Sequence, residues 1–180
     1  RKLVQSIYCH LPKLHDPGVI LPIIGWFFST VFKRRIRKTM GHFPILDIWG
    51  TKGGGKSSLL RLMWQLFGIA AQELFSCTET EFVLLSLMAS TTSIPICFDE
   101  FKPTDMKPEA RKRFTRILRR VYDGEVEGRG RPDLTIVDFP LLAPVAVAGE
   151  VPLTESALYE RIIPASPSPV YLKEHPEARN

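Results

Sequence analysis

The sequence predicts an α/β fold, a parallel sheet with helices on both faces, with a β-hairpin inserted in its second half and an apolar helix ahead of it. Three observations predict it. Ile45–Trp49, Ile94–Phe98 and Ala143–Ala148 are short and largely apolar, as strands buried on both faces are. Between them lie stretches with apolar residues at helical spacing. The glycine-rich run Gly50–Ser57 joins the first strand to the first helical stretch. The 180 residues, 44% hydrophobic and 24% charged, suit one domain with a full core.

Taken in order, residues 1–18 carry Pro12, Pro17 and Gly18 and read as a loop with one short helix. A single helix is expected over about 19–40, ended by Gly41 as C-cap. Its apolar part, Val19 to Phe32, precedes the basic run Lys33-Arg34-Arg35-Ile36-Arg37-Lys38, a pattern shared with membrane anchors. The run is shorter than the ~20 residues of a span and is interrupted by Pro22 and Gly25. It therefore reads as a buried helix packing on the core, with the basic residues as its solvated last turns. A strand over 44–49 leads into the glycine loop and its helix, 50–68. Ser76-Cys77-Thr78 reads as a short strand, and Thr78-x-x-Glu81 as a capping box opening a helix to about 90. The strand Ile94–Phe98 follows, with Pro95 near its start, where a missing N–H is tolerated.

After Pro108, Phe114, Ile117, Leu118 and Val121 form the buried stripe of a long helix that Gly124 stops. Glu125–Glu127 and Leu134–Asp138 flank Gly128–Pro132 as a hairpin with a basic tip. A buried strand at 143–148, a short helix at 154–159 and a last strand near 161–165 complete the pattern. The organisation expected is a loop and helix over 1–42, the core over 43–166, and a Pro/Ser-rich tail or linker over 167–180. The chain opens on Arg1-Lys2 rather than Met and reads as a piece of a longer protein.

The loop Gly50-Thr51-Lys52-Gly53-Gly54-Gly55-Lys56-Ser57 fits G-x-x-x-x-G-K-[ST], the phosphate-binding P-loop or Walker A motif, in its required strand–loop–helix context. Glycines admit positive φ and let backbone N–H groups approach an anion, and the helix N-terminus adds to that field. Lys56 is expected on the β- and γ-phosphates, the Ser57 hydroxyl on Mg²⁺, and the stretch from Gly50 through Ser58 around the nucleotide. Lys52 either adds a second positive charge or points to solvent.

The strand Ile94–Phe98 ends in Asp99-Glu100, a Walker B pattern, and is expected beside the first strand. Asp99 suits Mg²⁺, and Glu100 suits the water that attacks the γ-phosphate. Glu150 follows a strand and is a polar sensor candidate if that strand is central, or else an ordinary turn acid. Arg161 is an arginine-finger candidate acting across a subunit boundary, or else a surface ion-pair former. Arg129 and Arg131, framed by glycines at the hairpin tip, are candidates for nucleic-acid contact. The arginines of 111–120 read first as a solvated helix face.

Net charge +5 permits a polyanionic partner without requiring one. Three dispersed cysteines (Cys9, Cys77, Cys97) without C-x-x-C argue for a reducing, cytoplasmic setting and against a disulfide scaffold or structural zinc. The histidines and serines form no recognisable triad.

With these residues in hand the chain resembles the helicase-like ATPases linked to primase-polymerases of phages, plasmids and mobile elements, akin to superfamily 3 helicases. The matching stretches are the apolar helix ending near Gly41, Phe43–Gly50 into the P-loop, Ile96–Glu100, Tyr122-Asp123-Gly124 with the Arg-Gly-Arg hairpin, Val147–Glu150 and Glu160-Arg161-Ile162. They span about residues 19–165. Such proteins usually carry Asn at the sensor position, where this chain has Gly149-Glu150. The resemblance implies a RecA/AAA-like core of the additional-strand catalytic-glutamate class, using ATP and Mg²⁺. It implies a ring, often hexameric, moving on single-stranded DNA with the hairpin in its pore and Arg161 serving the neighbouring subunit. It also implies a primase or polymerase module as partner; the short, interrupted apolar run argues separately for no membrane partner. Two other readings fit the motifs: a P-loop regulatory or switch ATPase acting on a protein partner, and a small-molecule kinase, in which Glu100 has no ready role.

Overall fold

The computed structural model describes residues 9–70, 74–130 and 136–175. Five parallel strands form the sheet: β1 (Ile45–Trp49), β2 (Phe75–Ser76), β3 (Ile96–Phe101), β6 (Val145–Gly149) and β7 (Ile162–Ala165), in the order β2-β3-β6-β1-β7. Alternate residues of one strand serve opposite faces. Ile45, Phe98, Val145 and Val147 pack on one side with Leu84, Leu85, Phe114, Ile117 and Leu118. Leu46, Ile48, Cys97, Ala146 and Ala148 pack on the other with Ile20, Phe27, Leu60 and Met63. Two apolar faces explain why these strands read as continuous hydrophobic runs. Each large side chain removed from water contributes about 1.5–3 kcal/mol.

The order corrects one expectation. β3 is not beside β1: β6 lies between them, pairing Leu46 with Ala146 on one edge and Cys97 with Ala146 on the other. Sequence order cannot reveal an interposed strand that arrives only after the long helix and hairpin that follow β3. Small residues at 146, 148 and 149 suit this central position, where helices press on both faces.

The expected single helix over 19–40 is two: α1 (Pro17–Thr30) and α2 (Lys33–Met40). Ser29 Oγ donates to Trp26 O and Thr30 Oγ1 to Phe27 O, both at 2.7 Å, competing with the backbone ladder at the end of α1. Phe32 N then closes a tighter turn onto Ser29 O at 2.9 Å. Asp16 caps α1 by accepting from Gly18 N at 2.8 Å. Trp26 Nε1 donates to Pro44 O at 2.8 Å, pinning α1 to the entry of β1. Gly41, at φ 85°, ends α2 as expected. Among the described residues no helix is long and apolar enough to cross a membrane.

The P-loop helix is α3 (Lys56–Leu66), followed after β2 by α4 (Glu81–Ala89). Thr80, not Thr78, caps α4, accepting from Val83 N at 3.4 Å. Thr78 instead shares a hydrogen bond with Ser76 Oγ in the turn leaving β2. The long helix α5 (Pro108–Asp123) buries its predicted stripe and stops at Gly124, φ 62°. The hairpin pairs β4 (Val126–Gly130) with β5 (Ile136–Pro140) and leans on α4, where Phe139 meets Phe82 edge-on at 5.9 Å. Gly128–Gly130, expected in the turn, belong instead to β4, with Arg129 opposite Val137, because the ladder continues to Gly130; residues 131–135, Arg131 included, lie outside the described residues.

The remaining elements are α6 (Ser156–Tyr159) and α7 (Pro169–Glu174). α7 lies in the stretch expected as a linker. Ser168 caps it by accepting from Val170 N at 3.2 Å, and His15 stacks on Tyr171 at 4.5 Å. A Pro/Ser-rich composition hides these local capping and stacking contacts.

Candidate active site

The site lies at the C-terminal ends of the strands, where open α/β sheets bind ligands. β1 delivers the P-loop, β3 delivers Asp99 and Glu100, and the central β6 delivers Glu150. Lys52, Gly53, Gly55, Lys56, Ser57 and Ser58 line one side of a shared cavity of about 440 Å³. Asp99, Glu100, Lys102 and Glu150 line the other. The structure thus brings together the P-loop, the acidic pair and the sensor candidate.

Backbone geometry makes the loop a cradle. Gly53 and Gly55 take φ of 88° and 79°, a region other residues rarely adopt. A Cβ on Gly54 would come within 2.6 Å of Pro167 O, because the chain entering α7 crosses the loop there. Among the described residues no protein acceptor takes the backbone N–H groups of Gly53, Gly55, Lys56, Ser57 or Ser58. These are the free donors of a helix N-terminus and the turn before it, a ready anion site. Lys56 Nζ donates to Gly50 O at 2.7 Å and Thr51 O at 3.0 Å, which folds the lysine over its own loop. Burial pushes the Lys56 ammonium below its ordinary value, while the charges of Asp99 and Glu150 oppose that shift.

The acidic strand departs from ideal geometry where its chemistry sits. Glu100 has φ 59°, the one described non-glycine residue with positive φ. The β3–β6 pairing shifts register between Phe98 and Phe101. A bulge of this kind re-aims a side chain. Here it leaves Glu100 exposed to the cavity while Phe101 stays buried. Backbone strain of this type persists where surrounding structure enforces it. Asp99 Oδ1 accepts from Glu100 N at 2.8 Å, so the two acids hold one another's geometry. Gly149 permits the strands to close up: a Cβ there would lie 2.6 Å from Phe101 O.

One further residue, Lys102, lines this cavity, and a second, Asp47, supports it from below. Lys102 pairs with Glu150 at 3.0 Å, and that hydrogen bond raises its pKa. Nothing in the sequence marked it, since a lysine after an acidic strand is ordinary. Asp47, in the middle of β1, is 1% exposed. Its Oδ2 accepts from Leu153 N at 2.9 Å, whereas Oδ1 has no partner among the described residues. Burial pushes its carboxyl up to about 6, against the lowering effect of the Leu153 bond. It tethers the loop that follows Glu150. An acid among apolar neighbours was the available signal.

Arg161 is not in this cavity. It precedes β7 at the opposite end of the sheet, with Cζ 5.3 Å from the Tyr122 ring centre and Nη1 donating to Ala157 O. Arg129 lies 5.5 Å over the Phe82 ring. Along α5, Arg116 pairs with Glu81, and Arg120 with Glu125 and Glu127, in keeping with a solvated helix face.

Ser57 and Asp99 offer a hydroxyl and a carboxylate at one cavity, the hard-oxygen set Mg²⁺ takes alongside phosphate oxygens and water. No group of three or more His, Cys, Asp or Glu suited to a metal exists among the described residues. Burial raises the thiol pKa of Cys77 and Cys97, so neither is an activated nucleophile. Beside the loop lies a second cavity of about 370 Å³, lined by Leu14, His15, Gly54, Gly55, Leu59 and Leu172.

No protein-family model matches the chain, and no curated protein matches it. Among solved structures it is similar to the one described as SCCmec type IV Cch, an active helicase. The TM-score is 0.55 at 19% identity, over 85% of this chain and 30% of that one. This likeness, the parallel five-stranded sheet and the strand–loop–helix motif make the fold a P-loop NTPase-like core. The chain corresponds to less than a third of that helicase's length.

Proposed function

We propose that this chain is the ATPase core of a helicase-like motor, which hydrolyses ATP and couples that hydrolysis to movement on, or unwinding of, nucleic acid. The observation that carries the reading is the convergence of Lys56 and Ser57 with Asp99, Glu100 and Glu150 on one cavity. The interposed β6 supports the additional-strand, catalytic-glutamate class of such ATPases.

In this reading the free N–H groups of Gly53, Gly55, Lys56, Ser57 and Ser58 bind the phosphates. Lys56 exchanges the carbonyls of Gly50 and Thr51 for phosphate oxygens and neutralises charge on the group transferred. Ser57 and Asp99 hold Mg²⁺, which when bound offsets phosphate charge. Glu100, aimed by its bulge, orients the attacking water and accepts its proton. Glu150, held by Lys102, is the polar group beside the γ-phosphate. The apolar cavity by Leu14, Leu59 and Leu172 is suited in size and lining to the base.

Single-stranded DNA is the expected track, with Arg129 and Arg131 at the hairpin as contacts. Arg161 would act in trans, in a ring, since its own subunit's cavity lies at the other end of the sheet. A primase or polymerase module is the expected neighbour, and the cytoplasm the expected setting. The test is ATP turnover with and without single-stranded DNA, together with a sizing measurement. DNA-stimulated turnover by an assembled ring is the expected result. Turnover indifferent to DNA favours the regulatory ATPase instead.

A further inference from the structure

The other end of the sheet holds a cavity that the ATPase reading leaves unused. It measures about 620 Å³ and is lined by Lys33, Arg34, Arg37 and Lys38 of α2, with Gly41, Thr92 and Leu142. Gly41, Thr92 and Leu142 precede β1, β3 and β6, so the cavity faces away from the P-loop, about 16 Å off by strand length. No acidic side chain lines it.

Local stability does not explain this charge. Lys33, Arg34 and Arg35 stand in the first turn of α2, where the helix dipole disfavours cations, and that turn has no acid. Lys33 is 2% exposed, yet its ammonium has a single hydrogen-bond acceptor among the described residues, Ala143 O at 2.7 Å. It can donate three. Phe43 offers it only a ring face, 5.4 Å away. Burial and the neighbouring Arg37 charge push its pKa down to about 7, the mark of a cation short of compensating charge. Arg37 is held in place: its Nη2 donates to Asp123 O at 2.9 Å and Gly124 O at 2.8 Å. The side chain lies where any Cβ on Gly124 would sit. Its three other N–H groups have no acceptor among the described residues. The cavity is therefore floored by a lysine and an arginine that are held in place with donors to spare.

We infer that this cavity and the outer face of α2 bind consecutive phosphates of a single nucleic-acid strand, a second contact separate from the hairpin. Arg34 and Lys38 are exposed and four residues apart, so they share one helix face and carry the positive row outward from the cavity. A small anion would use only the floor, whereas a strand covers the row as well. The inference rests on the nucleic-acid reading above.

The test measures binding of a fluorescent oligothymidylate across a salt series, for the wild-type chain, for Arg34→Glu/Lys38→Glu, and for Arg129→Ala. Both α2 substitutions are at exposed positions, and melting curves check that the fold is intact. The α2 variant is expected to bind at least tenfold more weakly. Its slope of log K against log salt should be shallower by about 1.4, for two lost phosphates on a single strand. Wild-type affinity and slope in that variant, with the wild type binding well, overturn the inference and leave the nucleic-acid reading standing. No binding by the wild type overturns both. A parallel titration with inorganic phosphate separates the sources. Phosphate binding that persists both in the α2 variant and in Lys56→Ala, with the oligonucleotide affinity of the α2 variant unchanged, assigns the floor to a small anion and overturns the strand.

Discussion

The two ends of the sheet use positive charge in opposite ways. At the C-terminal end, lysines face acids: Lys102 is paired with Glu150, and Lys56 feels both Asp99 and Glu150. At the N-terminal end, Lys33 and Arg37 meet only backbone carbonyls, Arg34 and Lys38 are exposed, and no carboxylate lines their cavity. A site that handles a cation-bound triphosphate needs both signs, because metal and phosphate must each be met. A site that holds only phosphates needs one. The same count of lysines and arginines in the sequence therefore carries two meanings, which only their acidic neighbours separate.

The sharpest way to break this contrast is Lys56→Ala. Turnover should fall at least about 100-fold, the scale for losing one preorganised electrostatic contact, while oligonucleotide affinity at α2 is retained. Phosphate-release assays and strand binding on the same preparation check it. Parallel loss of both would mean the two ends are one site.

Asp47 sits between the two ends, and its titration tests the tether to the loop after Glu150. Its folded pKa, about 6, lies above the ordinary 3.8. The native state thus holds this proton more tightly than the unfolded chain. The stability it contributes is complete below the ordinary value and is lost as pH rises through about 6. Asp47→Asn keeps an acceptor for Leu153 N without the titration. Relative to wild type the variant should gain up to about 3 kcal/mol between pH 4 and pH 7. Denaturant melts across that range measure it, and superimposable pH profiles would contradict the burial argument.

Gly54→Ala probes the chain that crosses the P-loop. The added methyl meets Pro167 O, so a loss of about 1–3 kcal/mol is expected by thermal unfolding. An unchanged melting temperature would mean that residues 167–175 do not rest on the loop in solution. The smallest effect is expected from Arg129→Ala. Its guanidinium already packs on Phe82, so strand affinity should fall only a few-fold and the salt slope by about 0.7. A larger loss than that of the α2 variant would move the main contact back to the hairpin.

Much of this was legible from residues alone. The P-loop, its helix, the buried stripe of α5, the hairpin pairing and the stop at Gly124 follow from local rules, and locality is what sequence encodes most directly. The strand pattern by itself did not reveal the interposed β6, because strand order depends on contacts between segments far apart in the chain; only the resemblance to the additional-strand class implied it. The break after Thr30 was missed because two hydroxyls compete with the helix inside a run that is apolar by composition. Asp99 and Glu100 could be read as a pair, but the bulge that aims Glu100 could not. Lys102 and the floor of the α2 cavity acquire meaning only from what the fold sets opposite them.

The central claim is that the acidic end of β3 acts on a nucleotide held by the P-loop. Glu100→Gln tests it most directly, with ATP binding and phosphate release followed on one sample. Binding should stay within a few-fold of wild type while turnover falls by about 10²–10⁴. Undiminished phosphate release from that variant would contradict the account.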